Sequence, residues 1–151
     1  MNVEPTKILI VEDNPNELKL IKLALEEYNF VNPIASVTDG EEALDYLHGK
    51  DDKETTFPLP ELVLLDLKLP KISGIEVLEA IRNHPRTKNL VVVVMTSSED
   101  DRDLEACYQL NVNSYIVKPL DFEQLLKVAQ TVGYYWMMLD RLPPSISRRS
   151  V

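Results

Sequence analysis

Short unbroken apolar runs alternate along the chain with longer segments in which apolar residues return every three or four positions. Ile8-Leu9-Ile10-Val11, Leu62-Val63-Leu64-Leu65 and residues 90–95 are continuous runs. Such runs read as strands buried on both faces, as in a parallel sheet covered by helices. Pro33-Ile34-Ala35-Ser36-Val37 reads as a weaker, edge-like strand, because Pro33 cannot donate to a ladder. Ser114-Tyr115-Ile116-Val117 makes a fifth. Between the strands lie helical signals. Asn14 caps a first helix with Pro15 at its first position, and Leu18, Ile21, Leu25 and Tyr28 mark its inner face. Thr38 or Asp39 opens a second, through Ala43, Leu44 and Leu47 to His48-Gly49. Ser73 caps a third, with Ile75, Leu78 and Ile81 facing inward, and Pro85 stops it. Residues 99–110 form a more polar helix whose main apolar members are Leu104, Cys107, Tyr108 and Leu110. Asp121 caps a last helix from Phe122 to about Leu139. Residues 50–60, with two prolines and a charged stretch, read as a surface loop within one domain. Five strands alternating with five helices predict right-handed crossovers and a three-layer α/β/α sandwich.

That architecture gives the polar residues at the strand ends a meaning. The first strand is followed by Glu12-Asp13, the third by Asp66, the fourth by Thr96 and the fifth by Lys118. In an open parallel sheet all these ends lie on one edge, where ligands bind. Asp66 is the most telling, since a carboxylate at the end of a buried strand is costly without a partner. Three carboxylates brought together repel; two like charges ~4 Å apart cost about 4 kcal/mol at an effective dielectric of about 20. The cluster therefore raises the pKa of a member unless a cation intervenes. Hard oxygen ligands with room for water suit Mg2+. With the metal bound, Asp66 stays ionised and able to attack phosphorus, while Lys118 and the Thr96 hydroxyl meet the equatorial oxygens.

Composition narrows the choice. The chain has 151 residues and a net charge of -9. That is one domain's length, and its acidity disfavours nucleic acid and anionic membranes as partners. Residues 1–140 are expected to form the domain and residues 141–151 a flexible tail. The single cysteine, Cys107, excludes an internal disulfide and reads as a small core filler. Two histidines, His48 and His84, are too few for a His-based metal site, and their places at helix C-termini favour partial positive charge. With neither a signal peptide nor a spanning segment in view, a cytoplasmic location is expected.

Ile8 to Asn14, Leu64 to Pro70 with Ser73-Gly74, Met95-Thr96-Ser97 and Tyr115 to Pro119 together resemble the receiver domain of two-component response regulators. The resemblance covers about residues 5 to 138. It implies a flavodoxin-like sheet of order 2-1-3-4-5 and an Asp66 that accepts phosphate from a sensor histidine kinase. It further implies Mg2+ held by Asp13 and Asp66, with Glu12 acting mainly through water and the Lys68 backbone carbonyl as a further ligand. Thr96 and Lys118 would contact the phosphate, and Tyr115 would be the aromatic switch. The chain is then a stand-alone phosphoacceptor signalling protein rather than an enzyme on a released substrate. The loop at 50–60 and the Tyr134-Tyr135-Trp136 stretch are similar to single-domain regulators that partner phytochromes.

Competing readings leave marks of their own. Glu12-Asp13 would serve equally as a helix N-terminal acid pair, and Thr96, Ser97 or Ser98 as the cap of the following helix. A Mg2+-dependent phosphohydrolase with an aspartyl nucleophile calls for a substrate pocket and a second acid where Lys68 stands. A nucleotide- or flavin-binding module calls for a glycine-rich loop where Glu12-Asp13-Asn14-Pro15 stands. A metal-free interaction domain would not need all the acids and the lysine. Residues 132–139 are apolar nearly all round, beyond the one stripe a surface helix needs. Tyr134, Tyr135, Trp136 and Met137 are therefore expected at a homodimer surface.

Overall fold

The computed structural model describes residues 8–27, 34–51, 53–118 and 121–141, with side chains to Tyr135. Strands β1 (Ile8–Val11), β2 (Ile34–Val37), β5 (Leu62–Leu65), β6 (Val91–Thr96) and β7 (Ser114–Val117) form one parallel sheet in the order β2-β1-β5-β6-β7. Counting only the strands of this sheet, that is the expected order 2-1-3-4-5. Helices α1 (Pro15–Glu27), α2 (Gly40–His48), α3 (Gly74–Asn83) and α4 (Asp101–Gln109) lie in the crossovers, and α5 (Phe122–Arg141) follows the last strand.

Strand periodicity of two divides the core. Ile8, Ile10, Leu62, Leu64, Val93 and Met95 pack with Ile21, Ala24 and Leu25 of α1 and with Leu125, Val128, Ala129 and Val132 of α5. Leu9, Val11, Val63, Leu65, Val92 and Val94 pack instead under α2, α3 and α4. The three central strands are almost wholly buried, which is why they read as continuous apolar runs.

The helix starts follow their caps. Asn14 Oδ1 accepts the Asn16 and Glu17 N–H groups, Asp39 Oδ1 that of Glu42, and Ser73 Oγ that of Glu76. Asp121 and Gln124 exchange side-chain and backbone bonds in a capping box. In α3 it is Val77, Leu78 and Ile81 that are fully buried, with Ile75 at the rim. Of the four apolar members expected in α4, only Cys107 is fully buried, and burial pushes its thiol up to about 11.

Two expectations need correction. Residues 50–60 are not simply loop: Gly49–Lys50 (β3) and Lys53–Glu54 (β4) form an antiparallel hairpin. Gly49 sits at φ 103°, and a Cβ there would lie 1.9 Å from the Lys53 carbonyl oxygen, so the turn requires glycine. The Thr55 hydroxyl bonds the Tyr46 carbonyl, Phe57 stacks on Tyr46 at 4.4 Å, and Arg86 donates to the carbonyls of Leu47 and Phe57. Two-residue strands carry too little alternation to show in a sequence. His48, secondly, is not a charge at a helix end. Its ring stacks on His84 at 4.0 Å and meets the Thr87 hydroxyl at 2.8 Å. Burial, and then the neighbouring His84 and Arg86, push its pKa down to about 4, so it is neutral at pH 7.

Tyr28, Pro33, Pro119 and the tail beyond 141 lie outside the described residues. Among the described residues no helix is long and apolar enough to cross a membrane.

Candidate phosphoacceptor site

The sheet's hydrogen bonding runs one residue past the strands, and this pins the polar ends. The Glu12 N–H donates to the Val37 carbonyl, that of Asp66 to Val11, and that of Lys118 to Thr96, at 3.1, 3.1 and 2.7 Å. Alternation then decides which side of the sheet each side chain takes. Glu12 follows Ile10, Asp66 follows Leu64 and Lys118 follows Ile116, all on the α1/α5 side. Thr96 follows Val94 and lies on the opposite side, as does Tyr115, which packs against the core under α2–α4. Tyr115 pairs with Val94 in register, so it and Thr96 are diagonal neighbours.

On the first side, carboxylate oxygens of Glu12, Asp13 and Asp66 lie within 4.8 Å of one another. Glu12 and Asp66 are buried, while Asp13 is exposed. The Lys118 ammonium joins them, donating to Glu12 Oε1 at 2.5 Å and Asp66 Oδ2 at 3.2 Å. It also donates to Glu17 Oε2 at 2.5 Å. The other oxygen of Glu12 accepts the Asn14 N–H, and Asp66 Oδ1 accepts that of Lys68, both at 3.1 Å. The pKa of Glu12 is pushed up to about 7, mainly by burial and only partly offset by Lys118. Crowding by Asp66 is the smallest contribution, where the sequence pointed to repulsion as the cause. Burial works against the Lys118 charge, yet its hydrogen bonds to Glu12 and Glu17 hold the ammonium's pKa above its usual value.

The donor set fits a divalent cation. It is all hard oxygen, three carboxylates converge, and the exposed member leaves a side open to water ligands. Gly74 gives the site its floor. A Cβ there would lie 2.3 Å from the Asp66 carbonyl oxygen, so only glycine lets α3 begin this close to the Asp66 backbone.

On the opposite side, the Thr96 hydroxyl oxygen accepts the Ser98 N–H at 3.3 Å and is fully buried. It does not cap α4; Asp100 does, accepting the Arg102 N–H at 2.8 Å. The Tyr115 hydroxyl donates to the Ser98 carbonyl at 3.0 Å, and the Ser98 hydroxyl to Asp103 at 2.5 Å. Burial raises the Tyr115 phenol. Ser98 therefore connects Thr96 to Tyr115. Glu17 and Ser98 were not singled out in the sequence. Ser98 appears there only as a candidate cap, and Glu17 not at all.

At the chain's far end, Tyr134 is 63% exposed. The Tyr135 hydroxyl is tied to the Asn113 carbonyl and the Ser114 hydroxyl. The side chains of Trp136 and Met137 lie outside the described residues.

A cavity of about 570 Å³ lies away from the acids, between the edge of β2, α2 and the hairpin. Beside Lys118 there is one of about 30 Å³, lined by Glu17, Leu20, Ile21, Met95 and Leu125. It holds little more than one water.

Comparison with known proteins agrees with this geometry. The family described as response regulator receiver domain matches residues 8–130. The probable methanogenesis regulatory protein FilR2 of Methanothrix harundinacea is 42% identical over 140 residues, 93% of this chain and 89% of its own. Response regulator Rcp1 of Synechocystis is 35% identical over 139 residues, covering 92% and 94%. The crystal structure of Mn2+-bound Rcp1 superposes with a TM-score of 0.79 at 34% identity, covering 92% of this chain and 99% of that one. That of the phosphorylated cyanobacterial phytochrome response regulator RcpA gives 0.78 at 36%, covering 88% and 94%.

Proposed function

This chain belongs to the response regulator receiver domain family, and from that premise we propose that Asp66 is its phosphoacceptor and a sensor histidine kinase its donor. The carrying observation is the meeting of Glu12, Asp13, Asp66 and Lys118 at one sheet edge. An Asp66 carboxylate oxygen forms the new O–P bond, and the electron pair of the breaking P–N bond returns to the kinase imidazole. Asp13 and Asp66 hold Mg2+, with Glu12 alongside and the Lys68 carbonyl completing the protein's share. The cation supplies charge neutralisation for the incoming phosphoryl group. Lys118 steadies the phosphoryl oxygens, and Thr96 turns its hydroxyl toward them. The protein is a phosphoacceptor whose own residues speed transfer and hydrolysis, not an enzyme on a released substrate. Its free thiol, Cys107, suits the reducing cytoplasm.

Phosphorylation adds roughly -1.5 to -2 charge. When Thr96 turns, the Ser98 N–H loses its acceptor and the Ser98 carbonyl loosens its hold on Tyr115. Tyr115 then moves inward, and the face of α4, β7 and α5 changes shape as one existing population gains over another. The likeness to RcpA, a cyanobacterial phytochrome response regulator 36% identical to this chain, supports a phytochrome as the kinase. Phosphotransfer profiling tests this: rapid label transfer from a phytochrome histidine kinase is expected, at a rate well above that from unrelated kinases. Transfer from a non-phytochrome kinase alone would remove the phytochrome and leave the receiver.

The exposed Tyr134 supports a homodimer through the end of α5. Truncation before Tyr134 is expected to raise the dimer dissociation constant by at least about tenfold. An unchanged sedimentation profile would refute the dimer.

A further inference from the structure

The Lys118 ammonium has three N–H groups, and all three are spent on carboxylates: Glu12 and Glu17 at 2.5 Å and Asp66 at 3.2 Å. The bond to the acceptor is the longest of the three. A phosphoryl group on Asp66 brings three new oxygens that need a donor. The bond that Lys118 makes to Asp66 passes to one of them, because the phosphorylated carboxyl has lost its own charge, and a second phosphoryl contact requires Lys118 to give up Glu12 or Glu17.

Burial decides which. The Glu12 side chain is 2% exposed, whereas that of Glu17 is 42% exposed. A buried carboxylate that loses its ammonium is left without water and is costly. A half-exposed one is taken over by solvent at little cost. The small cavity between Glu17, Lys118 and Leu125 gives one water a place to do so. Glu17 is also the contact that comes from outside the sheet edge, from the first turn of α1. It draws the ammonium toward α1 and away from Asp66.

We propose that Glu17 is a positioning residue for phosphoryl capture: it holds Lys118 back until phosphate arrives and is the partner that Lys118 gives up. This rests on Asp66 being the phosphoacceptor. Glu17 stabilises the unphosphorylated arrangement, so removing it favours the phosphorylated one. It touches neither Asp66 nor the phosphate, and acts only through the lysine.

The test uses the full chain at saturating Mg2+ and beryllofluoride as the phosphoryl probe. Glu17→Ala is expected to bind the probe up to about fivefold more tightly than wild type, the upper end of the range for losing one partly exposed ion pair. Glu17→Gln, which keeps the length and an acceptor oxygen, is expected to fall between. Glu26→Ala removes the same charge from an exposed position on α1 and is expected to match wild type. The Lys118 ammonium nitrogen resonance should shift in Glu17→Ala and not in Glu26→Ala, a readout that a purely structural role for Glu17 would not move. Unchanged or weaker probe binding by Glu17→Ala, beside a wild type that binds the probe, overturns the inference. An equal gain in Glu26→Ala also overturns it, by assigning the effect to net charge. If wild type takes neither the probe nor label from acetyl phosphate, the phosphoacceptor reading itself falls.

Discussion

Asp66→Asn is expected to take up no label from acetyl phosphate and Mg2+, a fall of at least about a thousandfold from wild type. An amide oxygen lacks the negative charge that attacks phosphorus. The substitution is isosteric, and its oxygen can still accept either the Lys68 N–H or the Lys118 ammonium, as Asp66 now accepts both. One of three converging acids loses its charge, so folding is not expected to suffer. The same loss of label is expected for wild type in excess chelator, because the remaining cation, Lys118, is already shared among three acids. Label that appears at an unchanged rate in Asp66→Asn, by intact mass, would remove Asp66 from its role. Label that persists in chelator would remove the metal.

The largest stability effect is expected at the other end of the sheet. Arg82, in α3, donates to the carbonyls of Leu110 and Asn111 and to those of Lys88 and Leu90. Its planar fork thereby ties the end of α4 and the entry to β6 onto α3. Those of Lys88, Leu110 and Asn111 lie in turns, and that of Leu90 just before β6. Burial lowers the guanidinium's pKa without threatening its charge at neutral pH. Arg82→Met keeps the stem and removes the fork. A loss of about 3 kcal/mol is expected, from several bonds to a charged donor. For a domain of this size that is roughly 6–12 °C in Tm. Arg82→Lys should recover little, since one ammonium cannot span four carbonyls in the guanidinium's geometry. Urea denaturation checks both variants, and a loss below about 1 kcal/mol in Arg82→Met would show that the fork is dispensable.

Neither Arg82 nor Glu17 could be picked out from sequence, and for one reason. Arg82 reaches carbonyls up to 29 positions away and Lys118 reaches Glu17 across 101. No local pattern records such distances. The strands were legible because unbroken apolar runs bounded by polar residues have few other readings. Asp66, Glu12, Asp13, Thr96 and Lys118 were legible because parallel strands bring their ends to one edge. The caps at Asn14, Asp39, Ser73 and Asp121 were legible because capping is local. His48 misled for the opposite reason. Its helix-end position is a local signal, but the ring that stacks on it and the threonine that bonds it lie 36 and 39 positions on. The hairpin at Gly49 was hidden by the shortness of its strands, and the Arg86 that donates to Phe57 lies 29 positions on.

The two-residue rhythm of β6 and β7 places Lys118 on one side of the sheet and Thr96 and Tyr115 on the other. The sheet is thus a septum with a shared rim. On the proposed reading, a group captured at this rim would be felt on both faces at once, through Lys118 toward α1 and α5 and through Thr96 and Tyr115 toward α4.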